Sequence, residues 1–302
     1  MSRVALIAGQ GALPNVLADA LGRAGRDWFA CHLDGFPPEG VGQSRAFRIE
    51  RLGSLIAALR DEGVTEACFA GAIARPPLDP GAVDAATMPL VPRMLQALRA
   101  GDDGALRVVI ALFEEAGMRV VGADDLAPDL TALPVTGTPS ARDRADIARA
   151  AEVHAALGAA DVGQGCVVAG GRVLGVEAAP GTDWMLAGLV RRPAAPVPAQ
   201  DGLFGGDLLG GAAEWMSGGA AAVEPSLPAF DRPEGGVFFK AAKAGQDRRI
   251  DLPTIGPRTV RLVAAAGLSG LALERGGVLV LEREAVAALL DAHGLFLAPW
   301  NR

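Results

Sequence analysis

Short apolar runs alternate with amphipathic stretches along the first part of the chain. Residues 4–8, 28–33, 66–70 and 118–122 are apolar runs of strand length, and helical periodicity fills the gaps between them. Leu52, Leu55, Ile56 and Leu59 recur at i, i+3, i+4 and i+7, as do Leu106, Val109, Ile110 and Phe113, so each segment turns one apolar face to a sheet. This is βαβ grammar, and it predicts an α/β fold that begins with a Rossmann-like parallel-sheet domain. The stripes themselves read as core packing.

The pattern then changes style. Residues 126–139 are rich in proline and threonine and predict a hinge. We expect an N-terminal Rossmann-like α/β domain over 1–130, a linker over 131–139 and a C-terminal mixed α+β domain over 140–302. Ser140 with Asp143 three residues on has the spacing of a capping box, opening a helix with Ile147, Ala148, Ala151 and Ala155 on one face. The pairs 166–169 with 173–176, around Gly170 and Gly171, and 271–273 with 278–281, around Gly276 and Gly277, read as two hairpins. Composition shifts to Pro, Gly and Ala over 192–236, which places an insertion near 193–235.

Composition narrows the picture. The 302 residues suffice for two cores, and 50% hydrophobic against 21% charged residues excludes global disorder. A net charge of −7 gives no general attraction for nucleic acid or anionic lipid, so any grip on phosphate is local. Three cysteines, Cys31, Cys68 and Cys166, are too few and scattered for a disulfide framework or a zinc set and fit a reducing cytoplasm. The first apolar run is too brief for a signal-peptide core, and no window reaches the roughly 18 uncharged apolar residues of a spanning helix. Contact with a membrane surface stays open.

Several constellations carry candidate chemistry. Gly9, Gln10 and Gly11 follow the first strand, and Pro14 suits the first turn of the helix beyond, so backbone N–H groups could face a phosphate there. The alternative is a tight strand-to-helix turn. Asp34 ends the second strand, where a ribose-binding acid is expected, although Pro14 stands where a dinucleotide fingerprint wants a glycine. Gly71 and Arg75 come after the third apolar run, at the same sheet edge; a solvated loop cation is the plainer reading of Arg75. Asp102 and Asp103 are metal ligands or ordinary helix-dipole partners. Thr182 or Asp183, after Glu177, reads as a helix cap.

The densest polar cluster runs over residues 240–257 and contains Lys240, Lys243, Gln246, Asp247, Arg249, Asp251, Thr254 and Gly256. Two acids four residues apart can supply hard oxygen ligands and a base for water, while neighbouring cations neutralise phosphate oxygens. The alternative is a charged surface loop of salt bridges. His32, on a strand, His154, on a helix, and His293, on the apolar face of the last helix, lack partners at metal spacing. Serine-hydrolase elbow, P-loop and C-x-x-C motifs are absent.

Taken in order, LIAGQGALP at 6–14, GAIARP at 71–76, GDDGALR at 101–107, DVGQGCVVAGGRVLGVEAAPGTDWML at 161–186 and KAAKAGQDRRIDLPTIGPRTV at 240–260 resemble the UDP-2,3-diacylglucosamine pyrophosphatases of the LpxI type, from lipid A biosynthesis. The stretch near 193–235 departs from the family by its length. The resemblance implies an enzyme that uses Mg²⁺, replacement by Mn²⁺ being left open, to cleave UDP-2,3-diacylglucosamine into UMP and 2,3-diacylglucosamine 1-phosphate (lipid X), with water attacking the α-phosphorus. It makes Asp247 the essential aspartate and Asp251 the second choice, as metal ligand and base in an order left open. From their positions after predicted strands we expect Gly9, Gln10, Gly11, Gly71 and Arg75 to serve the nucleotide or sugar and Lys240, Lys243, Gln246 and Arg249 the diphosphate. Gln164, Thr182, Asp183, Thr254 and Gly256 complete the substrate-binding set. The resemblance further implies domains that open and close, no nucleic-acid partner, a cytoplasmic protein in transient contact with the inner membrane, and leaves a homodimer open. A non-catalytic sugar-nucleotide or lipid sensor is the competing class; a nicotinamide oxidoreductase is disfavoured by Pro14 and by the lack of a convincing catalytic histidine.

Overall fold

A computed structural model describes residues 2–73, 78–99, 102–190 and 233–302. Arg75 and residues 193–232 of the predicted insertion lie outside the described residues. The N-terminal part runs β1 (Arg3–Ala8), α1 (Leu13–Arg23), β2 (Asp27–Leu33), β3 (Ser44–Phe47), α2 (Leu52–Asp61), β4 (Val64–Ala70), α3 (Val91–Arg99), α4 (Asp102–Glu115), β5 (Arg119–Val121) and α5 (Ala123–Leu126). Its sheet has the order β3-β2-β1-β4-β5, and every pair is parallel. Successive side chains of a strand point to opposite faces. Ala5 and Ile7 of β1 therefore pack with Leu52, Leu55, Ile56 and Leu59 of α2, while Leu6 and Ala8 pack with Leu17 and Ala18 of α1. Both faces are covered, which is why the strands read as unbroken apolar runs. The chain moves outward from β1 to β3 and returns to β4, so the topological switch falls at the carboxyl ends of β1 and β4, where open α/β sheets bind ligands.

The C-terminal part runs α6 (Ala141–Ala159), β6 (Gly165–Ala169), β7 (Arg172–Val176), α7 (Thr182–Gly188), β8 (Val237–Lys240), β9 (Thr254–Ile255), α8 (Pro257–Ala265), β10 (Gly270–Glu274), β11 (Leu279–Val280), α9 (Arg283–Ala292) and β12 (Phe296–Trp300). The sheet order β12-β10-β8-β6-β7 combines parallel β8, β10 and β12 with antiparallel β6 and β7. The predicted capping box forms: the Ser140 hydroxyl accepts from Asp143 N at 3.2 Å, and Asp143 Oδ2 accepts from Ser140 N at 2.9 Å. The first predicted hairpin also forms, and buried Asp146 of α6 accepts from Gly170 N and Gly171 N at its turn, at 2.9 and 2.7 Å.

The second hairpin does not form. β10 already has β8 on one side and β12 on the other, so Leu279–Val280 has no edge to join and pairs in parallel with Thr254–Ile255 instead. His293 is likewise off the apolar face: it follows the last turn of α9 and is exposed.

The linker is stitched to the second sheet. Leu297 N donates to Thr136 O at 2.9 Å, and Thr136 Oγ1 donates to Asp291 Oδ1 at 2.6 Å. The β9 and β11 segment reaches the other way, with Leu252, Leu279 and Leu281 joining the α1 side of the N-terminal core. Ile250 joins the α2 side.

Candidate active site

The glycine loop after β1 is closed on its neighbour. Gly9 N donates to Ala70 O at 2.7 Å and Gln10 N to Ala72 O at 2.8 Å, while Ala72 N returns a bond to Gln10 O at 2.9 Å. A Cβ on Gly9 would lie 2.5 Å from Ala72 O, and one on Gly71, at φ +90°, 2.6 Å from Gln10 O. These glycines permit close backbone approach between the loops after β1 and β4. Two of the N–H groups expected to face a phosphate are thereby engaged. Gly11 stands apart, at φ +94°, where an added Cβ would meet nothing within 4 Å. Pro14 sits in the first turn of α1 as expected.

Asp34 lines a groove of about 350 Å³ between β3 and α2, together with Arg45, Arg48 and Arg51. Arg45 is already bidentate to Glu62 and Arg48 to Glu50. Two of the three arginines in this groove are therefore committed to their own carboxylates.

The charged segment after β8 is where acids and cations of both domains meet. A crevice of about 10 Å³ is lined by Leu106 and Arg107 of α4 and by Gln246, Asp247, Ile250 and Asp251. Asp251 N donates to Asp247 O at 3.2 Å, which sets the two acids one turn apart. Arg249 grips Asp247 with Nε to Oδ1 at 2.9 Å and Nη2 to Oδ2 at 2.7 Å, and its guanidinium holds the Asp247 carboxyl below the ordinary carboxylate range. Asp251 accepts from Gln246 Nε2 and, at 3.3 Å, from Gln164 Nε2. Gln246 Oε1 in turn accepts from Lys243 N at 2.8 Å, and Lys243 Nζ donates to Asp161. Among the described residues no group of three or more His, Cys, Asp or Glu side chains could hold a metal by itself. The donor set nevertheless fits Mg²⁺, which takes one or two carboxylates and completes its octahedron with substrate phosphates and waters.

Buried Glu274 anchors the start of this segment by accepting from Ala242 N at 2.9 Å, and Arg248 Nη2 donates to Gly276 O at 2.6 Å. From the N-terminal domain, Arg107 Nη2 donates to Gly245 O at 3.2 Å and Glu114 Oε1 accepts from Arg249 Nη1 at 2.6 Å. In the sequence Arg107 is legible only as the end of the motif GDDGALR and Glu114 only as a charge on an amphipathic helix, and the spacing of neither marks it as part of the site.

Lys240 ends β8 and is only 3% exposed, with Nζ 3.2 and 3.1 Å from the Glu177 oxygens and also donating to Thr182 Oγ1. Thr182 opens α7 without capping it; Gly181 is the N-cap, and Asp183 pairs with Arg258 at 2.7 Å. The capping expected of Thr182 or Asp183 is replaced by these two contacts. Thr254 forms β9, and Gly256 leads into α8, its N–H donating to Thr259 Oγ1 at 3.4 Å. His32 Nδ1 is 2.8 Å from Ser44 Oγ, and buried His154 has Nε2 2.8 Å from Ala241 O. All three thiols are buried, which pushes Cys31 up to about 11 and Cys68 and Cys166 to about 12, so none supplies a thiolate near neutral pH.

Two α/β domains are joined so that a charged loop of one lies against α4 of the other. The profile of the LpxI N-terminal domain matches residues 3–130, and that of the LpxI C-terminal domain matches 132–202 and 209–298. UDP-2,3-diacylglucosamine pyrophosphatase LpxI of Caulobacter vibrioides (strain ATCC 19089 / CIP 103742 / CB 15) is 37% identical over 309 residues, an alignment covering 98% of this chain and 97% of the relative. The chain belongs to the LpxI family.

Proposed function

We propose that this chain hydrolyses UDP-2,3-diacylglucosamine, with water attacking the α-phosphorus to release UMP and 2,3-diacylglucosamine 1-phosphate, and with Mg²⁺ as cofactor and Mn²⁺ as a substitute. The observation that carries the reading is the crevice in which Asp247 and Asp251 of one domain stand beside Arg107 of the other. A diphosphate needs cationic donors on its oxygens, and the guanidinium of Arg107 is suited to that, because a planar N–H fork matches phosphate geometry; Arg249, bonded to Asp247 and Glu114, would reach a phosphate only on giving up one of those bonds.

Asp247 and Asp251 would hold the metal ion, which when bound neutralises diphosphate charge and lowers the pKa of a water. Arg249 keeps Asp247 ionised, and Gln164 with Gln246 orients Asp251 toward the crevice. Lys240 has its ammonium on Glu177 and Thr182, so its part is to fix the end of β8 from which the charged segment starts. The crevice is narrow beside a diphosphate sugar, and in this reading the domains part to admit substrate. Two acyl chains confine such a substrate to a bilayer surface, which puts the enzyme in transient contact with the cytoplasmic face of the inner membrane; among the described residues no helix is long and apolar enough to cross one.

The test is incubation with UDP-2,3-diacylglucosamine in ¹⁸O-labelled water, with and without chelator. Chelator-sensitive release of UMP carrying the label is the expected result. Label in the lipid phosphate would overturn attack at the α-phosphorus, and binding without UMP release would leave the sensor class.

A further inference from the structure

We propose that Glu114 is a positioning residue for this reaction: from the N-terminal domain it fixes the Arg249 guanidinium and, through it, the Asp247 carboxylate of the C-terminal domain. The proposal rests on the reading of the 246–251 crevice as the diphosphate site.

Arg249 donates Nη1 to Glu114 Oε1 at 2.6 Å while Nε and Nη2 hold the two Asp247 oxygens at 2.9 and 2.7 Å. A guanidinium is planar and its N–H groups are rigidly arranged, so a carboxylate on one Nη sets the plane in which the other edge holds its partner. Arg249 N also donates to Asp247 Oδ1, at 3.1 Å, so the aspartate is fixed from backbone and side chain together. Arg107 and Glu114 lie seven residues apart on α4, hence on one face of it. That face grips the loop twice, at Gly245 O through Arg107 and at Arg249 through Glu114. Gly122, just after β5, lies against the loop, where a Cβ would make ordinary contact with Arg249 Cα at 3.5 Å.

Holding the domains together does not require this ion pair. Its side chains are 40% and 44% exposed, a setting in which ion pairs add little to folding, and Ile250, Leu252, Leu279 and Leu281 already join the two cores through apolar contact. What Glu114 adds is orientation, available only when the N-terminal domain lies against the loop. Asp247 is then set for catalysis by the same closure that brings Arg107 into the crevice.

The experiment is steady-state kinetics on the full chain with UDP-2,3-diacylglucosamine, comparing wild type, Glu114→Gln and Glu114→Asp across a sodium chloride series. Glu114→Gln is expected to lower kcat about fivefold at low salt while KM changes by less than about twofold, the scale of one exposed ion pair acting on orientation. Glu114→Asp keeps the charge and recovers part of the loss. Wild-type kcat falls as salt screens the pair, and the Glu114→Gln curve is flatter because it has no pair to screen. In an Arg249→Lys background the Glu114→Gln change costs less than it does alone, because both act through one contact. An active wild type whose kcat and salt slope are matched by Glu114→Gln overturns the proposal alone. A wild type that releases no UMP overturns the reading of the site and this inference with it.

Discussion

The two places where sequence placed phosphate chemistry are built on opposite principles. At the carboxyl edge of the N-terminal sheet the loops after β1 and β4 are closed by backbone bonds, Gly9 to Ala70 and Gln10 to and from Ala72, with no room for a side chain on Gly9 or Gly71. In the segment after β8 the work is done by side chains: Asp251 is held by Gln246 and Gln164, and Asp247 by Arg249, which reaches Glu114 across the domain boundary. Glycine after a strand thus serves two ends that look alike in sequence. One exposes N–H groups to an anion; the other allows two main chains to touch. Gly9 and Gly71 show the second use, while Gly11 stands clear of the contact between the two loops.

Substitution should separate the two regions by what is lost. Asp247→Asn removes charge with almost no change of shape. It should lower kcat on the order of a hundredfold to a thousandfold, the range for one charge-stabilising group in an active site, while the unfolding midpoint in urea stays near wild type. Retained turnover in the folded, metal-replete variant would remove Asp247 from the mechanism. Gly71→Ala should do the reverse. Its φ of +90° and a Cβ placed 2.6 Å from Gln10 O predict a loss of about 2–4 kcal/mol in stability, with turnover per folded molecule preserved. Gly11→Ala is the sharper control, because φ +94° strains the backbone but the side chain meets nothing. A cost of about 1 kcal/mol with unchanged KM is expected. A KM raised severalfold in Gly11→Ala would return the glycine loop to ligand binding.

The parallel sheet is legible because covered strands carry apolar runs, Val4 to Ala8 in β1 and Ala67 to Ala70 in β4, and because Leu52 to Leu59 repeats at the helical period. Edge strand β3 is not: Ser44, Arg45, Ala46 and Phe47 are half buried or exposed, so no apolar run marks them. The misread hairpin at 271–281 shows a different limit. Gly276 and Gly277 do make a turn, but which strand lies beside Leu279 is decided by β8 and β12 having filled both edges of β10, a fact held elsewhere in the chain. The candidate site divides in the same way. Its own loop was readable from interleaved acids and cations at 246–251, whereas Arg107 and Glu114 join it only through tertiary contact. On an isolated helix they look like any solvated charge.

The smallest expected effect concerns how the loop is supported from behind. His154 of α6 stacks near Phe239, with ring centroids 5.5 Å apart, and its Nε2 meets the carbonyl of Ala241, the first residue beyond β8. Burial is the main cause that keeps the imidazole's pKa below its ordinary 6.5; nearby Arg302 acts in the same direction, while the bond to Ala241 and the Glu274 and Glu177 carboxylates oppose it. A histidine held neutral in the fold binds its proton more readily once unfolded. Its contribution to stability is therefore complete above 6.5 and falls as the pH drops from there toward the folded-state value. Urea midpoints should thus decline between neutral pH and mildly acidic pH in wild type and decline less in His154→Asn. If the two slopes coincide, His154 is not a source of acid sensitivity, and the support of the loop rests on Glu274 and its bond to Ala242 N instead.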